Sequence, residues 1–450
     1  MTTRATFSRE RLLGSDAVTA FHHRNYRIFF AGQLVSLIGT WMQQVAQAWL
    51  VLQLTGDPFW LGVVATAQFL PVIVLGLFAG VAADALPKRQ VLLAAQVAMM
   101  VLAFALAALV ITGVVEVWMI VVLALLLGVA NAVDMPVRQS FAVELVGRDH
   151  VGNAVALNSA MFNGARVIGP AAAGLSIGAF GIAAAFVING LSFVAVIVGL
   201  WLINERELEL STRIDRPTSA RAVVANLVEG LDYVRRTPVV LLAVTVVGVV
   251  ATVGMNWNVL LPAFAQDELG SDAAGFGFLM AASGIGSVLA AMRLVLGGRP
   301  RPTRLATGAL ILGVATAALA VSQVFAVSLG LMVLIGFGSI LMAATGNTTI
   351  QLAVPDHLRG RVMSVYTTVF SASIPIGGIA FGAMASNFGS SAAIGVGGIL
   401  TFIVGLAALA WGRRGAFSLP ATTGAPAASA SAAVPVTAGV ISGAGNARRR

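Results

Sequence analysis

The chain has 450 residues, of which 58% are hydrophobic and only 10% charged; soluble domains carry roughly a quarter charged residues. So much apolar surface cannot be hidden inside a water-soluble globule of this size, which places the chain in a lipid bilayer. The net charge of +9 does not indicate nucleic acid, because the basic residues punctuate apolar segments instead of clustering with aromatics on one domain. With no cysteine there is no disulfide framework, thiolate metal site or catalytic thiol. The four histidines, His22, His23, His150 and His357, show no metal-ligand spacing, and His22 and His23 read as a solvated pair before the first span. Lys88 is the sole lysine beside twenty-six arginines, which points to a GC-rich bacterial genome.

A helix needs about 20 mostly apolar residues to cross the hydrocarbon core. Twelve segments qualify: 27–54, 59–83, 90–113, 117–136, 152–180, 183–203, 239–265, 273–297, 304–322, 325–350, 361–386 and 391–412. The first run starts near Ile28 and is too long for a cleaved signal, so it reads as a retained span. Ten-residue alternation, the mark of membrane barrel strands, is absent. The expectation is an all-α integral membrane protein of twelve helices in two six-helix pseudo-symmetric bundles. Its divisions are a cytoplasmic N-terminal segment (1–26), a first bundle (27–203), a cytoplasmic central loop (204–238), a second bundle (239–412) and a disordered cytoplasmic tail (413–450). Placing the N-terminus inside puts every Lys and Arg of the loops on the inner side, while Asp57, Glu116, Asp267, Glu268 and Asp272 fall outside. Both termini are then cytoplasmic.

Within span one the run "GTWMQQVAQAWL" is unusually polar. At 3.6 residues per turn, Gln33, Ser36, Thr40, Gln43 or Gln44, and Gln47 fall along one side. An inward-facing stripe would line a substrate pathway; the plainer reading is interhelical hydrogen bonding, worth roughly 0.6 kcal/mol on average. Trp41 lies deep enough to line the same cavity, whereas Trp60 reads as a belt residue at the interface. Asn256 and Trp257, polar at depth in span seven, are candidates for the opposite wall. Arg166 is the arginine at mid-depth, on a face shared with Ser159, Asn163 and Pro170. An arginine there costs about 2.5–3.5 kcal/mol on insertion scales, so it should face the interior and find partners. Those partners are carbonyls, glutamines, water or an anionic group on the cargo; a structural tie to a neighbouring helix is the rival reading. At the inner end of span four, Asp134, Arg138 and Glu144 suit either an ion-pair network that opens with a cytoplasmic gate or simple interface anchors.

The halves echo each other. "DHVGNAVAL" precedes span five and "DHLRGRVMS" span eleven, and Gly169, Gly174, Phe180 and Gly181 have counterparts at constant spacing in Gly377, Gly382, Phe388 and Gly389. Repeats of this kind place a site at their interface near the membrane midplane. Six plus six helices around a basic loop resembles the major facilitator superfamily. The run Gly80 to Arg89 is similar to that family's loop 2–3 signature, with Asp84, Lys88 and Arg89 kept, Ala85 in place of a basic residue and Pro87 in place of glycine. The resemblance implies a cytoplasmic latch against span eleven, where the Asp84 carboxylate could face a helix N-terminus. Gly169, Pro170 and Gly174 resemble the antiporter signature of drug exporters, with Ala173 where a glycine is expected. "NAVDMPVRQSFAVELVGRDHVGNAVALNSAMFNGARVIGPAAAG", "VPDHLRGRVMSVYTTVFSASIPIGG" and "GTWMQQVAQAWLVLQLTG" resemble the exporter branch that includes enterobactin (siderophore) exporters and macrolide-efflux-like proteins.

That resemblance implies proton-driven export of a small, amphipathic, drug- or siderophore-like molecule across the bacterial cytoplasmic membrane, by a monomer without cofactor or metal. No phosphate loop of the Walker form argues for an ATP-driven pump. No convergence of carboxylates or histidines at one depth argues for a membrane enzyme. A nutrient importer of the same fold and a non-transporting receptor are the remaining alternatives. Proton-coupled carriers usually place an acid inside the membrane, and here none lies near mid-span; Thr40 stands where many such relatives carry an aspartate.

Overall fold

The computed structural model describes residues 15–85, 87–209, 220–296 and 301–413. Among them are thirteen α-helices and two short 3-10 turns (Ser15–His22 and Glu205–Glu207), with no strand. The helices are α1 (Arg24–Thr55), α2 (Pro58–Ala85), α3 (Lys88–Thr112), α4 (Val117–Phe180), α5 (Ile182–Leu202), α6 (Ala220–Arg236), α7 (Pro238–Gly254), α8 (Trp257–Asp267), α9 (Ala273–Leu296), α10 (Thr303–Ala320), α11 (Phe325–Ala353), α12 (Asp356–Phe388) and α13 (Ser390–Trp411). Ten helical stretches of the described residues are long and apolar enough to cross a membrane, with α7 and α8 counted together as one. Helix α1 and the second part of α4 (148–180) fall outside the ten. The polar residues explain why: Gln33, Gln43, Gln44 and Gln47 in α1, and Asn153, Asn158, Asn163 and Arg166 in α4. Both nevertheless pack inside the bundle, against each other, with α1 also on α5 and α4 also on α9.

Two breaks differ from the reading of the sequence. The segment between spans four and five, expected as a loop, stays helical and turns a corner at Gly147, with φ 70° and ψ 171°. That region of backbone space is essentially restricted to glycine. A side chain there would also collide with the Glu209 carboxylate. The expected seventh span is divided between α7 and α8 at Met255 and Asn256, where the Asn256 amide donates back to the Thr252 carbonyl at 2.7 Å.

The bundle has one end rich in basic residues (Arg24, Lys88, Arg89, Arg138, Arg359, Arg361), called here the basic end, and a far end without Lys or Arg among the described residues. In the first half, α1 and α3 pack on α4 and α5; in the second, α10 packs on α11 and α13, and α9 on α11. The halves meet along two seams, α2 with α12 and α4 with α9. Small residues make these seams close. Added carbon at Gly62 would strike the Gly378 carbonyl, at Gly277 that of Pro170, at Gly174 the backbone of Ala274, and at Gly284 the carbonyl of Arg166. Without a hydrophobic driving force between helices in lipid, such close approach is what holds them together. These contacts run from mid-helix to the far end, where Trp49 of α1 stacks on Phe276 of α9 with ring centroids 6.2 Å apart.

Helix α6, in the linker between the halves, belongs to the second half at the basic end. Glu229 pairs with Arg361 of α12, the Tyr233 hydroxyl donates to Ala353 O at 3.2 Å, and Gly230 lies against the Arg361 backbone. The linker's other end is tied to the first half: Asn25 and Asn204 exchange two hydrogen bonds, of 2.9 and 3.0 Å.

Candidate functional site

The mid-membrane site is built on a bulge-free stretch of α4 and the middle of α1. Gly169 has no side chain, so α4 approaches until its Cα faces Trp41 Cβ and the Ile38 carbonyl. That approach brings Phe162 edge-on to Trp41, at 5.7 Å between centroids, and sets the Arg166 guanidinium 5.8 Å from the Trp41 ring centroid. A cation over an indole face is attracted by the ring quadrupole. No hydrogen bond or ion pair of the Arg166 side chain is found among the described residues. On its other side the Arg166 backbone abuts Gly284 of α9, so the residue sits on the seam between the halves. Asn163, one turn away, spends its amide on the Ser159 carbonyl at 2.8 Å. Gly169, Pro170 and Gly174 thus act together as a close-packing motif, touching α1 on one side and α9 on the other.

The glutamine stripe does not stay together. Gln43 is buried, and its carbonyl accepts from the Asn189 amide of α5 at 2.6 Å. Gln33, also buried, accepts from Arg138 at 3.0 Å. Thr40 donates to the Ser36 carbonyl at 2.9 Å. Gln44 is half-buried and Gln47 buried, and neither has a hydrogen bond among the described residues. Gln43 therefore turns toward α5 and glues helices, while Trp41 faces Phe162 and Arg166 of α4. Gln43 and Gln44, alternatives for one place on the stripe, are a 100° step apart, and it is Gln43 that α5 takes. Asn256 and Trp257 are buried in the second half; the Asn256 side chain is beside Gly377, and the Trp257 indole N–H has no partner.

At the basic end, Lys88 meets Glu144 at 2.5 Å. Arg89 donates to the Leu200 and Trp201 carbonyls at 2.7 and 2.9 Å and pairs with Glu205 at 2.5 Å. Asp134 lies 3.2 Å from Arg138, one turn along α4, and accepts from Gln96 of α3 at 2.8 Å. None of these bonds reaches the second half. Gly80 and Asp84 lie outside the described residues as far as their side chains are concerned, so the rest of the expected latch is seen without its carboxylate.

Three partners had no visible signal in the sequence. Asn189 is the one side-chain amide of α5, and Gln96 sits in an apolar stretch of α3. His23, expected in a solvated pair with His22, instead has Nε2 3.1 Å from Nδ1 of His150. Beside it Tyr26 is buried and donates to the Ala154 carbonyl at 3.1 Å. An apolar groove of about 300 Å³ between α1 and α5, lined by Val35, Ile38, Met42, Ile188 and Leu191, opens away from the site, among exposed apolar side chains.

The sequence model of a family described as transmembrane secretion effectors, within the major facilitator superfamily, matches residues 15–433. The chain belongs to this family. It is 31% identical over 375 residues to the multidrug efflux pump Tap of Mycolicibacterium fortuitum, covering 80% of this chain and 89% of that one. It is 24% identical over 391 residues to the staphyloferrin A transporter of Staphylococcus aureus, covering 84% and 94%. Among solved structures, a bacterial homologue of the lysosomal transporter Spinster, inward-facing and unoccupied, superposes with a TM-score of 0.68 at 13% identity over 90% of this chain and 99% of that one. A peptide transporter in complex with alafosfalin gives 0.70 at 14% identity, over 87% and 94%. At such identities the structures establish the fold alone. The family member is a multi-pass transporter of the cell membrane and not an enzyme.

Proposed function

We propose that this transmembrane secretion effector spans the membrane twelve times, the ten apolar stretches plus α1 and 148–180, with both termini in the cytoplasm. It exports a small amphipathic molecule by alternating access, driven by proton antiport. The observation that carries the reading is Arg166: a permanent charge at mid-depth, on the seam between the halves, held over an aromatic face and left without a carboxylate. A guanidinium is not titrated away near neutral pH, so it serves as a binding charge for an anionic group and not as the proton carrier. Thr40, Trp41, Gln44, Gln47 and Asn163 form its wall on the first half, with Asn256 and Trp257 on the second. Closure of the seams at the far end, around Trp49 and Phe276, supports a conformation open to the basic, cytoplasmic side. Asp84 with Lys88 and Arg89 would latch that side in the opposite conformation. The name of the Tap relative, an efflux pump, supports the outward direction.

Inside-out vesicles loaded with no substrate test the reading with two dyes, anionic carboxyfluorescein and cationic ethidium. An acid interior should drive accumulation of at least one of them, and nigericin should collapse it. Arg166→Lys should keep part of the carboxyfluorescein flux, while Arg166→Gln should lose it and leave protein yield unchanged. Full flux in the Gln variant removes Arg166 from the site. Loss of the protein itself in both variants assigns the arginine a structural role instead.

A further inference from the structure

Antiport requires a group that takes and gives up the proton, and the mid-membrane site contains none. The basic end does contain a buried carboxylate. The Asp134 side chain is 2% exposed; Gln96 Nε2 donates to Oδ1 at 2.8 Å, and Arg138 Nε lies 3.2 Å from Oδ2. Arg138 in turn donates through Nη1 to Gln33 of α1 at 3.0 Å. Four side chains from three helices thus form one chain of bonds, from α3 through α4 to α1.

Gln96 is the informative member. Its residue is 2% exposed, and its Oε1 has no hydrogen-bond partner. Buried acceptors left unpaired are rare and ask for an explanation. Beside an ionised carboxylate the amide has no choice: the N–H must face Asp134, which strands the oxygen. A neutral carboxyl reverses the roles, because its O–H can donate to Oε1 once the amide turns over. The same two side chains can therefore bond in either protonation state, and the stranded oxygen is used in only one.

We infer that Asp134 carries the coupled proton: its ionised form is held by Arg138 and Gln96, and its neutral form by Gln96 alone. The inference rests on the antiport reading above. Arg138, with its side chain 24% exposed at the basic end, marks the route by which the proton meets cytoplasmic water. It is also the charged group in direct contact. On α3, Lys88 is held by Glu144 of α4 and Arg89 by the end of α5. On α1, Gln33 accepts from Arg138, while Arg24 and Arg27 are exposed at the helix start. The stretch 58–75 of α2, packed on α4, has no charged residue. Protonation releases Arg138 from Asp134 but leaves it on Gln33, so the change is passed to α1, the helix of Trp41 and Gln44. The arrangement described, with Asp134 paired and the far end closed, corresponds to the state after the proton has left toward the cytoplasm.

A test needs no known substrate. The chain is free of cysteine, so spin labels at Gly152→Cys and His357→Cys, exposed positions of opposite halves at the basic end, report their separation in nanodiscs between pH 5 and 9. The labelled parent should gain a second distance as pH falls. Asp134→Asn, permanently neutral, should show one distribution at every pH, and Asp134→Glu should keep the response with a moved midpoint. A parent with no response to pH overturns the inference, as does a response that persists in the Asn variant. Should the Asn variant fail to fold, an unmoved midpoint in the Glu variant overturns it equally. Dye uptake in the same parent separates the two ideas. A pH response without proton-driven uptake sinks antiport and leaves Asp134 as a protonating gate. Driven uptake with a response indifferent to residue 134 sinks Asp134 alone.

Discussion

The second part of α4 and the whole of α12 are the same element used twice. Each starts with an Asp-His pair, each carries a proline and close-packed glycines past its middle, and each ends at Phe-Gly with the glycine in nearly the same backbone conformation, φ 79° and ψ 169° at Gly181, φ 87° and ψ 156° at Gly389. Each also forms a seam with the opposite half. They differ where it matters for chemistry: by the spacing of their glycines, Ile374 of α12 stands opposite Arg166. Around Arg166 are Trp41, Phe162 and Asn163; on α12 Phe370 stands where α4 has Phe162, and Ser373, next to Ile374, donates to the Gly248 carbonyl at 3.0 Å. A symmetric scaffold therefore fixes how the halves meet, and the charge is placed on one copy only.

Moving that charge is the harshest way to break the comparison. Ile374→Arg lacks the Trp41 indole that Arg166 has and should cost about 2.5–3.5 kcal/mol, the insertion penalty for an unaccommodated arginine. Protein yield should fall, and the double variant Arg166→Gln, Ile374→Arg should not recover carboxyfluorescein transport. Recovery would mean that only depth matters. Next in size comes the shared seam. Gly277→Val forces side-chain carbon onto the Pro170 carbonyl and should lower stability by about 1–3 kcal/mol, as overpacking does. Gly178→Ala, which meets nothing within 4 Å, is the control, and thermal unfolding in detergent reads both. A smaller effect distinguishes the two faces of α1. A double-mutant cycle on Gln43→Leu and Asn189→Leu should return a coupling near 0.6 kcal/mol and no more than about 1.7. Gln44→Leu should leave stability alone and change dye flux. The smallest is Arg236→Gln on α6, whose exposed pair with Asp232 should matter by less than about 0.5 kcal/mol.

The helices were legible because a bilayer demands long apolar runs, and the seams were legible because glycines recur at matched spacing in both halves. Local composition also marked Arg166, since a charge at mid-depth stands out in any apolar window. What could not be read is pairing at a distance. Gln43 and Asn189 are 146 residues apart, and nothing near either says that they meet. The same is true of His23 and His150, separated by 127. Gly147 shows a subtler failure. A glycine among charged residues suggests a loop, yet here one unusual φ turns a corner within continuous helix. Asp134 and Gln33 were visible as polar residues, but their joint attachment to Arg138 depends on how three helices converge.

The glycine seams also say something about friction. Across Gly62 and Gly378, and Gly277 and Pro170, one backbone lies directly on another, and at Gly284 only a methyl of Val167 joins the Arg166 carbonyl in the contact. Interlocked side chains would have to leave one rotamer and find another whenever the halves shift. Smooth surfaces need not. Two halves bearing on each other in this way can slide by small increments, as packed helices do in shear motions, and the notches that do exist are aromatic and few, with Trp49 on Phe276 among them. The seams then behave like a plain bearing with an aromatic detent, Trp49 on Phe276, at its outer rim.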